Sequence, residues 1–119
     1  MEWHDDGIVL SARKHGESST IVNLLTREHG RHTGFVRGGA GRSARGVYQP
    51  GNGVSARWSA RLPEHLGTFQ CELTVAVAAN LMADPLKLAG LSSACALIEV
   101  KLPEREPHRL LFDGLAVLF

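Results

Sequence analysis

His29–Gly46, HGRHTGFVRGGAGRSARG, is the stretch that decides how the rest of the chain is read. It holds Arg31, Arg37, Arg42 and Arg45, with Arg27 just ahead of it, together with six glycines and no acid. Fixed positive charge at that density resists burial, and so many glycines leave the backbone no single preferred shape. Gly30–Arg37 reads as a strand with Arg31, Thr33, Phe35 and Arg37 on one face and His32, Gly34 and Val36 on the other. Gly34 inside it weakens ordinary pairing and marks the sharp coiling that closes a small barrel. The remainder, through Gly46, reads as a mobile cationic loop whose natural complement is a polyanion.

Strands flank this stretch on both sides. Upstream, Asp5–Lys14 alternates with Ile8, Leu10 and Ala12 on one face and Val9, Ser11 and Arg13 on the other, closing on two cations, Arg13 and Lys14. His15-Gly16-Glu17-Ser18 is turn chemistry, and the β-branched run Thr20–Thr26 completes a hairpin. Downstream, Gln49-Pro50-Gly51-Asn52-Gly53 extends the connection into a long, exposed one. Val54–Arg61 then alternates cleanly, with Val54, Ala56, Trp58 and Ala60 inward and Ser55, Arg57, Ser59 and Arg61 outward. A fifth run, Thr68–Val77, places Phe69, Cys71, Leu73, Val75 and Val77 on one face. Five short strands with glycine-rich connections predict a small closed or partly closed β-barrel over residues 1–79.

Near Ala78 the period changes. Asp84-Pro85 is an N-cap followed by proline at the first helical position, and Leu88, Leu91, Cys95, Ile98 and Leu102 form a helical stripe that Pro103 ends. Glu106-Pro107 opens a second helix with Leu110, Leu111, Leu115 and Leu118 on its apolar face. That helix meets Phe119 with no capping glycine, so residues 80–119 read as the beginning of a larger helical domain whose end is loosely packed or pairs with another chain.

The charge is uneven. From Arg13 to Arg61 nine Lys/Arg stand against two acids, +7, while the remainder is −6, and the total of +1 hides both. A basic segment of this kind is either a polyanion-binding surface or a cluster of solvated arginines. Cys71 and Cys95 lack Cys-x-x-Cys spacing and sit on apolar stripes, which fits reduced thiols in a cytoplasmic protein and makes neither a nucleophile. No export signal and no membrane span is read. His29 and His32 fall on opposite faces of a strand, so no shared metal is expected, and each is read as a satisfied turn or surface histidine. Gly39-Ala40-Gly41-Arg42-Ser43-Ala44 matches the dinucleotide pattern G-x-G-x-x-G/A, but Gly46 and Pro50-Gly51 are read as forbidding the helix that pattern requires. Neither a cofactor nor an enzymatic activity is expected.

A family resemblance rests on Trp3, Gly7-Ile8-Val9-Leu10, His15-Gly16-Glu17, Thr26, His29-Gly30, Val36-Arg37-Gly38-Gly39, Gln49-Pro50-Gly51-Asn52, Trp58, Ala60-Arg61-Leu62, Glu64-His65-Leu66-Gly67 and Leu102-Pro103-Glu104-Arg105. In that order and spacing they resemble the RecO family of bacterial recombination mediators, most of all its alphaproteobacterial branch. The resemblance implies an oligonucleotide-binding (OB) barrel followed by a helical domain, binding of single- and double-stranded DNA, annealing of complementary strands, and work with RecR and single-stranded-DNA-binding protein. The chain is about half the length this family leads one to expect. On this resemblance the part of the helical domain that holds the pocket for the tail of single-stranded-DNA-binding protein and, in some members, a zinc site is expected to be missing from these residues.

On this reading Arg31, Phe35, Arg37, Arg57 and Arg61 line one groove across strands three and four. Arg13 and Lys14 extend its basic surface, and Arg42 and Arg45 form a flexible flap over it. The arginines contact phosphates and Phe35 stacks on a base, with Tyr48 a weaker stacking candidate and Trp58 a core residue. The alternative is a protein-interaction module whose basic barrel docks acidic partners in a repair complex.

Overall fold

The computed structural model describes residues 1–38 and 41–118, apart from the side chains of residues 42, 43 and 118. The elements in order are β1 (Glu2–His15), β2 (Ser19–Thr26), β3 (Gly30–Val36), α1 (Arg42–Val47), β4 (Gly53–Ser59), β5 (Thr68–Val75), α2 (Val77–Asn80), α3 (Pro85–Lys101) and α4 (Arg109–Leu118). The expected β-plus-α composition is what folds. The strands close in the order β1-β2-β3-β5-β4, with β4 returning to pair along the first half of β1. The β1–β2 hairpin has the predicted turn, His15 facing Ser19.

The barrel interior is filled by Val9, Val22, Leu24, Val36, Val54, Ala56, Trp58 and Phe69, all buried. Burying each Val-, Leu- or Phe-sized side chain contributes about 1.5–3 kcal/mol, so Trp58 and Phe69 anchor this end of the fold. Trp58 also satisfies its indole, Nε1 donating to the carbonyl of Leu66 at 2.9 Å. His32 sits among these rings, 4.8 Å from Trp58 and 5.1 Å from Trp3 between ring centroids. It is a buried core histidine, not the turn or surface residue expected.

Both faces of β1 are covered, which simple alternation does not anticipate. Val9 enters the barrel, while Ile8 and Leu10 point outward into a second core with Leu25, Leu91, Cys95 and Phe112. A bulge between Val9 and Ser11 then shifts the register by one residue. Ala12 faces Val22 on the inner side and Arg13 faces Ile21 on the outer side, the reverse of the faces expected from alternation. Asn52, buried, bridges this point: its backbone carbonyl accepts from Val9 N at 2.9 Å and its Nδ2 donates to the carbonyls of Gly46 and Val47. The connection expected to be long and exposed is therefore pinned at its end.

The connection also contains a helix. Ala44, Val47 and Tyr48, spaced i, i+3, i+4, pack against the barrel core, so α1 plugs one end of the barrel where a mobile loop was expected. The glycines and Pro50-Gly51 do not forbid a helix after the dinucleotide pattern, contrary to expectation, because α1 does follow it. That helix has six residues, the next strand does not pair with β3, and Gly39 and Ala40 lie outside the described residues. In β5 only the first half is covered, and Leu73 and Val75, expected in the core, are exposed.

α3 forms as predicted. Asp84 accepts from Lys87 N at 3.2 Å as N-cap, Pro85 opens the helix, and Leu91 and Cys95 are buried with Leu88, Ile98 and Leu102 packed beside them. The helix is locked to the barrel by Glu99 Oε1, which accepts from Ser11 Oγ at 2.8 Å and Asn23 Nδ2 at 3.0 Å. In α4 the inward residues are Phe112 and Leu115, while Leu110 and Leu111, expected inward, are exposed, and the side chain of Leu118 lies outside the described residues. Arg27 holds α4 through Asp113, Nε donating to Oδ1 at 2.9 Å.

Between α3 and α4, residues 102–106 lie across the barrel as a strap. Glu104 forms a parallel bridge with Arg31, and Arg105 N donates to the Arg31 carbonyl at 2.7 Å. The Arg105 guanidinium sits over Trp58 at 5.5 Å and donates to the carbonyls of Pro63 and His65. Gly30, at φ +71°, is obligatory here: a side chain would strike the backbone of Glu106.

Candidate nucleic-acid interface

The expected groove across β3 and β4 does not form as one surface, because β5 lies between them and, of the residues assigned to it, only Phe35, Ser59 and Arg61 share a hollow. The register distributes the nine candidate residues differently. On the outer face Arg13 stands opposite Ile21, Ile21 opposite Phe35, Phe35 opposite Thr68, and Thr68 opposite Ser59, a continuous row around the barrel. Phe35 is half-buried in this row with its ring 5.3 Å from His15. It lines a shallow hollow of about 250 Å³ with Ser59, Arg61, His65, Gly67 and Thr68. Arg37, next outward position after Phe35, borders an adjoining hollow with Thr68 and Gln70.

A second group lies at the plugged end. Lys14 faces Thr20 and Thr20 faces buried Val36, so this row belongs to the inner face and emerges at the barrel mouth. There Lys14 and Arg45 line a hollow of about 560 Å³ with Ser11, Glu17, Thr20, Tyr48 and Gln49. Arg45 is on α1 and so is placed by a packed helix, not carried on a flap. The side chain of Arg42 lies outside the described residues.

Two candidates are committed elsewhere. Arg31 is largely covered: its Nε donates to the Leu102 carbonyl at 2.8 Å and its Nη1 is 3.6 Å from Glu104, so it holds the strap instead of lining an open groove. Arg57 is exposed but donates to Glu2 Oε2 at 2.9 Å, and the guanidinium beside it holds the Glu2 carboxyl below its usual range. Arg13 is only loosely held, 3.8 Å from Glu99 with most of its side chain in solvent. Among the described residues Lys14, Arg37, Arg45 and Arg61 make no ion pair.

Tyr48 is buried in the barrel core, which removes it as a stacking candidate, and burial pushes its hydroxyl pKa up. Burial likewise raises the Cys71 and Cys95 thiols to about 11, far from a reactive thiolate. His15, which touches Phe35, and Gln49 join the two groups without having been singled out from the sequence. For His15 the signal was available, since it follows Arg13 by two on the outer face. Among the described residues no group of His, Cys, Asp and Glu is arranged to hold a metal ion, and no helix is long and apolar enough to cross a membrane.

Fold and site together define a five-stranded β module with a cationic rim at its plugged end and helices packed on its flank. A family profile described as Recombination protein O N terminal matches residues 1–76. Over its whole length the chain is 60% identical to the DNA repair protein RecO of Rhodospirillum centenum, covering 48% of that relative. It is 56% identical over 97% of its length to the RecO of Nitrobacter hamburgensis, covering 45%, and 51% identical over 99% to that of Rhodospirillum rubrum, covering 47%. The chain belongs to the RecO family and spans about half the length of the curated relatives it matches.

Proposed function

We propose that this chain is the DNA-binding and strand-annealing part of a RecO-type mediator of recombinational DNA repair, working without catalysis in the cytoplasm. The observation that carries the reading is a set of four exposed cations, none of them ion-paired among the described residues, in two groups: Arg37 and Arg61 beside half-buried Phe35 on the outer face, and Lys14 and Arg45 at the plugged end of the barrel. Such cations neutralise phosphates without reading sequence, and a half-exposed ring among them offers a base about 1–3 kcal/mol of stacking. The strand order, with a short helix between β3 and β4 plugging the barrel, supports an OB-type barrel over residues 1–79, with a helical domain beginning at residue 80. Both single- and double-stranded DNA are proposed ligands. RecR and single-stranded-DNA-binding protein are proposed partners of the whole family member.

The test is fluorescence anisotropy of a labelled single strand titrated at several salt concentrations. Affinity falls steeply with salt, and Arg37→Ala and Arg61→Ala each flatten the logarithmic slope by about 0.7, the value for one lost phosphate contact on a single strand. Arg31→Ala leaves the slope unchanged because its guanidinium is engaged by Leu102 and Glu104. Salt-insensitive binding, or none, overturns the proposal in favour of docking to an acidic protein.

A further inference from the structure

The register of the β1–β2 hairpin separates its cations by face. Before the bulge, Val9 is inside the barrel and Ile8 and Leu10 are outside under α3. After it, Ser11 and Asn23 face outward to Glu99, Arg13 lies at the margin of the helix 3.8 Å from Glu99, and His15 continues that outer row past it. Ala12 and Lys14 continue the inner row. Lys14 and Arg45 therefore approach the hairpin from one side, and Arg13, Phe35, Arg37 and Arg61 from the other, with one layer of backbone between them.

We infer that the hairpin is a blade with a phosphate track on each face, so that one copy of the chain holds two DNA strands at once, one against Lys14 and Arg45 and one along Phe35, Arg37 and Arg61. The inference rests on the proposed DNA-binding reading and gives it the first step of annealing: two backbones that repel each other in solution are each neutralised and held together on one copy of the chain. The acids on the two sides fit this division. The inner hollow has Glu17 against Lys14 and Arg45, and the outer row has Glu99 beside Arg13 alone, leaving Arg37 and Arg61 unopposed among the described residues. Phe35 with His15 provides the outer track with a stacking surface, while the inner hollow presents Thr20 and Gln49 beside its two cations. A strand on the inner track is thus held by its backbone, with its bases free to be read by another strand.

Two non-complementary oligonucleotides of about 10 nucleotides, within the site size of one such barrel, are labelled as donor and acceptor and mixed with the protein at saturation. The expected result is energy transfer between them. Lys14→Glu/Arg45→Glu and Arg37→Glu/Arg61→Glu each lose the transfer and the annealing of complementary strands, yet each still binds one oligonucleotide. Mixing the two variants does not restore transfer, since both tracks must belong to one copy. The inference is overturned if the unaltered protein binds DNA but gives no transfer, if either double variant loses all binding because one strand wraps both faces, or if mixing restores transfer. Failure of the unaltered protein to bind any strand defeats the underlying reading as well and is recognised by the absence of anisotropy change.

Discussion

Gly34→Ala tests the closure of the barrel directly. Gly34 lies in β3 opposite Val22, and its φ is not in the left-handed region, so backbone freedom is not what the position requires. Space is. A Cβ there would stand 2.7 Å from Cδ2 and 2.9 Å from Cε2 of Phe69, a ring that is 2% exposed and wedged in the same core as Val22 and Trp58. Overpacking of this kind costs about 1–3 kcal/mol, and the reduced freedom of the unfolded chain offsets roughly 0.5–1 of it. The net loss is about 1–2 kcal/mol, or roughly 4–8 °C in Tm for a chain of this size. Gly90→Ala is the internal control: it lies in α3, where a Cβ meets nothing within 4 Å, and the helical preference for alanine stabilises by about 1 kcal/mol. Urea and thermal unfolding followed by the fluorescence of Trp3 and Trp58 should shift in opposite directions for the two variants. Phe69→Leu added to Gly34→Ala should cost less than the sum of the single changes, because the clash is then relieved. A Gly34→Ala protein as stable as, or more stable than, the original would refute the packing of β3 against the Phe69 ring.

Other outcomes follow from the same packing. Burial lowers His32 to about 4 from an unfolded value near 6.5, so the unfolded chain binds the extra proton across that window. The associated stability is present above pH 6.5 and is lost as the pH falls toward 4, at about 1.4 kcal/mol per pH unit; urea midpoints measured at pH 7 and pH 5 should converge in His32→Gln, and an unchanged pH dependence counts against it. Leu91→Ala, emptying a buried site between α3 and β1, should cost about 2–5 kcal/mol in the same urea titration. Asp84→Ala removes the α3 N-cap and should cost about 1 kcal/mol, with Asp84→Asn recovering most of it; equal loss in both would mean that the cap hydrogen bond is not the source.

Much of this was legible from residue order. Val54–Ser59 alternates as it does because one side meets Trp58's core and the other meets water, and Asp84-Pro85 with the Leu88–Leu102 stripe specifies α3 through local chemistry. Strand order was not legible. Alternation says which residues share a face but not which strands are neighbours, so a single groove holding Arg31 and Arg57 fails where β5 comes between them. The bulge after Val9 was equally silent, and it alone decides which side of the hairpin Arg13 and Lys14 occupy. The helix α1 did leave a signal in Ala44, Val47 and Tyr48, outweighed by the surrounding glycines. Arg31 shows the limit of reading charge alone: an arginine on a wet face becomes a tether when an acidic segment far along the chain folds back on it.

That tether has a consequence for association. β3 meets β5 through the single pair Phe35 and Thr68, so the half of its edge around Arg31 lacks a neighbouring strand of the barrel. Residues 102–106 cover it, and the Arg31 carbonyl is taken by Arg105 N. Uncovered, that edge would be a template on which a strand of another molecule could add. The strap thus protects solubility as much as it joins helices to barrel. Conditions that loosen it without unfolding the barrel should be those under which this protein first aggregates.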